Sequence, residues 1–174
     1  MTLGSNGRPG VGPIYSSLDV AGLTGVSLRQ LQWWDEQGVV TPMQKGRRRL
    51  YNPTEVLLVS VIVGLRRKKL SLQKIRKVVD ELKEDRSIAE LAAEPAASNV
   101  YLLTDGDHVS LQDSIQEIVD IQVESATPMT LLCVSDLLRK LGWVDDETPR
   151  KPVHIETSRT GGARRARTSA SRAS

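Results

Sequence analysis

The chain has 174 residues, 39% of them apolar and 26% charged, with a formal net charge of +3. A single cysteine, Cys133, excludes an internal disulfide and fits a reducing cytosol. The longest apolar run, at 56–65, is too short and too interrupted to span a membrane, and residues 1–13 lack the apolar core of a secretory signal.

The small net charge conceals a partition. Residues 14–83 carry 13 Lys/Arg against 6 Asp/Glu, residues 84–150 carry 4 against 14, and residues 151–174 carry 6 against 1. A basic unit suited to a polyanion is therefore followed by an acidic unit with another task and by a basic tail. The expected organisation is a flexible leader at 1–13, a basic head at 14–83 and a linker with a short helix at 84–98. A small acidic α+β unit at 99–146 and a disordered basic tail at 147–174 complete it. The fold class is mainly α with small β elements.

In the head, Ser16 and Asp19 form a capping box that opens a short helix ending near Gly25. Ser27 and Gln30 open a second helix, which should run to about Gln37 with Gly38 just beyond its end. Two short helices joined by a tight turn make a helix-turn-helix. The second helix contains Trp33 and Trp34, in a chain without phenylalanine. Neighbours on a helix lie about 100° apart, so both rings cannot share one buried face. Leu28, Leu31 and Trp34 fall on one stripe of about 120°, the expected core side. Trp33 falls with Arg29 on the other side, facing solvent or a sugar-phosphate backbone.

After Pro42, a glycine turn between short arms carries Lys45, Arg47, Arg48 and Arg49 and predicts a small β-hairpin wing suited to phosphate. Asn52, Pro53 and Glu55 then open an apolar helix that ends in Arg66, Arg67, Lys68 and Lys69. Those four cations complement the carbonyl end of the helix and are not assigned to DNA. Ser71 caps a further helix whose Leu72, Ile75, Val78, Val79 and Leu82 share one stripe.

Residues 15–83 resemble the DNA-binding domain of the MerR family of bacterial transcriptional regulators. The resemblance rests on the order and spacing of TGVSLRQLQWWDEQGVVTP, RRRLYNPTEV and LRRKKLSLQKIRKVV. It implies that Arg29 takes the place of a DNA-contacting basic residue, that Trp33 and Trp34 replace a tyrosine pair, and that Arg49 replaces the wing arginine. The implied DNA face comprises Ser27, Arg29, Gln30 and Trp33 on the second helix. Lys45, Arg47, Arg48, Arg49 and Tyr51 extend it into the wing. Gln32 stands where the family usually has arginine. No long dimerisation helix follows the fourth helix, because 83–98 offers only a short piece broken by Pro95.

The acidic unit begins with a predicted strand, an Asp-Gly turn and a second strand over 100–112. The stretch SIQEIVDIQV fits either a helix or a strand. MTLLCV predicts a buried strand, after which Ser135 is expected to cap the helix DLLRKL. Cys133 in its apolar run reads as a structural thiol. No catalytic motif and no Cys/His cluster is present, so neither enzymatic activity nor a metal or other cofactor is expected. The unit is expected to be too small for a roomy ligand pocket and better suited to a protein partner or a second copy.

Two functions follow. The first is a cytoplasmic, nucleoid-associated regulator that binds double-stranded DNA as a homodimer on an inverted repeat. The second is an antitoxin-like autorepressor whose residues 99–146 bind a partner protein. Neither engages a membrane.

Overall fold

A computed structural model describes residues 12–95 and 99–145. Most of the expected leader, and the tail from 147, lie outside the described residues. The head comprises β1 (Tyr15–Ser16), α1 (Ser17–Thr24), α2 (Leu28–Glu36), β2 (Met43–Lys45), β3 (Arg48–Tyr51), α3 (Pro53–Arg67) and α4 (Leu72–Glu84). After α5 (Arg86–Ala93) come β4 (Tyr101–Thr104), β5 (Val109–Gln112), α6 (Ile115–Glu124), β6 (Thr130–Cys133) and α7 (Val134–Lys140). No described helix is long and apolar enough to cross a membrane.

The first three helices begin with reciprocal capping boxes, each satisfying two backbone N–H groups that the helix leaves unpaired. Ser16 N–H donates to the Asp19 carboxylate at 2.7 Å while Asp19 N–H donates to Ser16 Oγ at 3.3 Å. Ser27 with Gln30, and Asn52 with Glu55, repeat the arrangement. Gly25 ends α1 at φ 74°, a left-handed conformation that costs a residue without Cβ little, and so makes the tight turn into α2.

The head sheet is antiparallel in the order β1-β3-β2, with Tyr15 opposite Tyr51 and Lys45 opposite Arg48 across the wing. The two-residue β1 has no sequence signature beyond the Ser16 cap that follows from it. The second sheet, β5-β4-β6, is also antiparallel. Leu102 pairs with Leu111 and Leu132, and all three side chains are buried. By strand alternation Leu103 points to the opposite face, where it is also buried and α6 packs beside β5.

The helix α3 runs through the centre. Val56, Leu57, Val59, Val61, Ile62 and Leu65 have no exposed surface. It touches α1, β3 and α4 on the head side and α5, β6 and α7 on the other. Residues 84–95 therefore do more than link: α5 folds back onto α3, burying Ile88, Leu91 and Ala92. One apolar cluster runs from Val20 and Trp34 through α3 and α4 to Leu102, Leu132 and Leu138. The two units defined by charge share this core. Where β6 crosses α3, a Cβ on Gly64 would lie 2.8 Å from Leu132 Cδ1, so any larger residue there would oblige the buried Leu132 side chain to shift.

Two local expectations are corrected and one open reading is settled. Ser135 does not cap α7, which begins two residues earlier than expected, at Val134, with no side-chain cap from Cys133. Instead the Ser135 hydroxyl accepts Val100 N–H at 2.8 Å, tying α7 to the sheet. Leu28, expected on the core stripe, is 46% exposed, whereas Leu31 and Trp34 of the same helix are buried. The ambiguous SIQEIVDIQV is a helix capped by Ser114 and supported by Gln116 donating to Asp120 at 2.8 Å.

Candidate nucleic-acid interface

On α2, Leu31 and Trp34 are 2% and 4% exposed, while Trp33 is 44% exposed. The two indoles thus divide as the helical phase requires, one in the core and one in solvent. Arg29, one turn before Trp33, is exposed as well. Ser27 and Gln30 are exposed but engaged with each other: the Gln30 side-chain oxygen accepts from Ser27 N–H at 3.2 Å and from its hydroxyl at 3.3 Å. The Gln30 amide NH₂ remains available to an outside acceptor, whereas Ser27 acts chiefly as the cap.

In the wing, Lys45, Arg47 and Arg48 are exposed. Among the described residues these three and Arg29 form no ion pair. Arg49 differs. Its Nε donates to the Asp35 carboxylate at 2.6 Å, and that bond raises its pKa further, so its charge is balanced within the fold. Gln44 adds a longer bond to the same carboxylate at 3.4 Å. Asp35 thereby joins both wing strands to α2, the helix that carries the exposed indole.

Tyr51, expected at the interface, is a core residue only 1% exposed. It sits at the inner end of β3, where the strand turns into α3, and no hydrogen bond of good geometry satisfies its hydroxyl. Burial pushes its pKa up, opposed in part by the Ser17 side chain.

Asp35 is the residue that motif reading missed. A signal was present in the sequence: an acid in the last turn of a helix opposes the helix dipole and calls for another cation. The nearby arginines of the wing supply it. Glu36 has a local partner, Gln32 Nε2 at 2.8 Å. The face that remains is a short helix with Arg29, Gln30 and Trp33 outward, flanked by three unpaired cations. A helix of this size is of the width that a DNA major groove admits, and exposed lysine and arginine side chains are the groups that commonly engage phosphate.

Cys133 lies half-buried, and burial pushes its thiol pKa up, away from the reactive thiolate.

Residues 15–82 match the family model described as MerR HTH family regulatory protein. Over 132 residues the chain is 28% identical to proteins named uncharacterized HTH-type transcriptional regulators, one from Mycobacterium bovis and two from strains of Mycobacterium tuberculosis. The match covers 73% of this chain and 55% of each relative, so the chain spans about half the length of the curated relatives it matches.

Proposed function

The segment 15–82 belongs to the MerR helix-turn-helix family, and from that premise we propose that the chain is a sequence-specific transcriptional regulator acting on double-stranded DNA. The observation that carries the reading is the pairing of exposed Trp33 and Arg29 on α2 with the unpaired wing cations Lys45, Arg47 and Arg48. In this reading α2 enters the major groove, where Arg29 and the Gln30 amide meet base edges or phosphates and Trp33 lies against the sugar-phosphate backbone. The wing cations hold the flanking phosphates. The protein binds an inverted repeat as a homodimer, distorts the promoter, and works in the cytoplasm on the nucleoid. It is a regulator rather than an enzyme and needs no cofactor for DNA recognition.

A mobility shift and footprint on the region upstream of its own gene test this. A protected site with two symmetric halves, bound far more tightly than random duplex at physiological salt, is the expected result. Equal affinity for any duplex sinks the reading. Replacing Arg47 and Arg48 with glutamine should reduce the slope of log K against log salt by about two units, since each phosphate contact contributes about 0.9.

A second reading has its own observation. The helix α6 carries three acids and no cation, yet leaves Ile115, Val119 and Val123 65%, 47% and 80% exposed. Self-pairing along this face would set acid against acid, whereas a partner with a basic, apolar surface complements it. An antitoxin-like autorepressor, whose 99–146 segment binds such a partner while the head occupies the operator, uses both faces. Replacing Val119 with aspartate should then abolish binding of a basic partner encoded beside it and leave operator binding intact. Unchanged partner binding would remove this reading.

A further inference from the structure

Between the α1–α2 turn, the C-terminal half of α3 and the end of α7 lies a cleft of about 460 Å³. That is within the range of roughly 300–1,000 Å³ common to small-molecule sites. The acidic unit alone is too small to enclose such a space. It arises because β6 and α7 pack against α3 beside the helix-turn-helix.

The floor is aliphatic, formed by Leu23, Val63, Leu132, Leu137 and Leu141. One polar group interrupts it. Ser60 is only 6% exposed and lines the cleft, and its hydroxyl makes no hydrogen bond among the described residues. A helical hydroxyl can bond back to a carbonyl of the preceding turn, as Thr24 does to Val20 at 2.7 Å, but the Ser60 hydroxyl faces the cleft without such a bond. Ser60 is left with a hydrogen bond to give to whatever enters.

The rim is cationic. Arg67 and Lys68 from the end of α3 line it together with Lys140 from the end of α7, and among the described residues none of them forms an ion pair. Complementing helix carbonyl ends explains a cation on each helix separately. It does not explain three cations from two helices around one apolar recess that no acid lines among the described residues. Their mutual repulsion is relieved by an anion held among them.

We propose that this cleft binds an amphipathic anion, its apolar body on the aliphatic floor, an oxygen within reach of Ser60, and a carboxylate or phosphate head among Arg67, Lys68 and Lys140. Thr24 and Gly25 form part of the wall, so the ligand touches the turn that sets the start of α2 as well as the acidic unit. Binding is then coupled to operator affinity, and by linkage DNA changes ligand affinity by the same factor. This coupling alone rests on the DNA-binding reading.

The test is calorimetric titration of the full chain with octanoate, octyl phosphate and uncharged 1-octanol. At least one anionic probe should saturate one site per chain, with octanol roughly tenfold weaker or more, as the loss of a charge-assisted hydrogen bond implies. The variant carrying both Arg67→Gln and Lys140→Gln alters only exposed side chains and should lose a similar factor for the anions. Val63→Phe, which fills the floor, should abolish binding of all three probes. The proposal is overturned if neither anion saturates, if octanol binds as tightly as both anions, or if the double charge variant binds like the parent. Operator binding is measured separately without probes. Its failure beside intact anion binding would sink the DNA reading alone, and the converse would sink only the cleft.

Discussion

The head and the acidic unit start their helices differently. In the head, α1, α2 and α3 each begin with a reciprocal box in which side chain and backbone satisfy one another within four residues. In the acidic unit, Ser114 reaches Glu117 N–H at a long 3.5 Å, and α7 has no side-chain cap at all. What holds α7 is distant in sequence: Ser135 bonded to Val100, and Leu137 and Leu138 buried in the shared core. Local chemistry specifies the head, whereas the acidic unit depends on the head for something to fold against.

The strongest way to break the comparison is to remove the core of the specifying unit. Trp34→Ala opens a large cavity beside Leu31 and Val39 and should cost about 3–5 kcal/mol, and because the core is continuous a thermal melt should show both units lost in one transition. Two separated transitions would mean that the acidic unit stands alone. Gly64→Ala attacks the seam instead. Its new Cβ meets Leu132 at 2.8 Å, so overpacking of about 1–3 kcal/mol is expected. Amide exchange should then quicken over β6 and α7 well before it does over α1 and α2.

The same contrast decides what could be read from the sequence. Caps, turn glycines and the apolar period placed every helix of the head to within a residue or two, because those signals act over three or four positions. The split between Trp33 and Trp34 followed from 100° per residue. What was not legible depended on partners far along the chain: the two-residue β1, the role of Ser135, the burial of Tyr51, and the diversion of Arg49 to Asp35. A pattern such as RRRLY shows that cations are present, but not which of them the fold neutralises.

Smaller effects sharpen the comparison. Asp35→Ala leaves Arg49 without its acid and frees the wing from α2. It should weaken operator binding several-fold in a mobility shift although it adds net positive charge, which a purely electrostatic interface would not do. In the acidic unit, Asp105 accepts the N–H groups of Asp107 and His108, both at 2.8 Å, and these bonds hold its carboxyl below the usual range. Its folded pKa is depressed, so its stabilising contribution is present above the unfolded value of about 3.9 and is lost as pH falls through the lower folded value. Asp105→Asn keeps an acceptor oxygen for the turn, and melts below about pH 4 should therefore show a flatter pH dependence than the parent. The least effect on folding is expected for Trp33→Ala, within about 0.5 kcal/mol by thermal melt, combined with clear loss of DNA affinity. Unfolding by that variant would reverse the assignment of the two indoles.

The close crossing of β6 over Gly64 also bears on how the chain is made. Synthesis runs from the N-terminus, so α3 leaves the ribosome some 65 residues before the strand that covers it. At a typical ~5–20 residues per second, several seconds pass in which that side of the central helix has only α5 to cover it and the strip around Gly64 lacks β6 and α7. The nascent head is then a sticky intermediate, competent to form its turn and wing but carrying an open apolar stripe. Ribosomes stalled between residues 95 and 130 should accumulate chains that bind holdase chaperones, and release should coincide with emergence of Leu132.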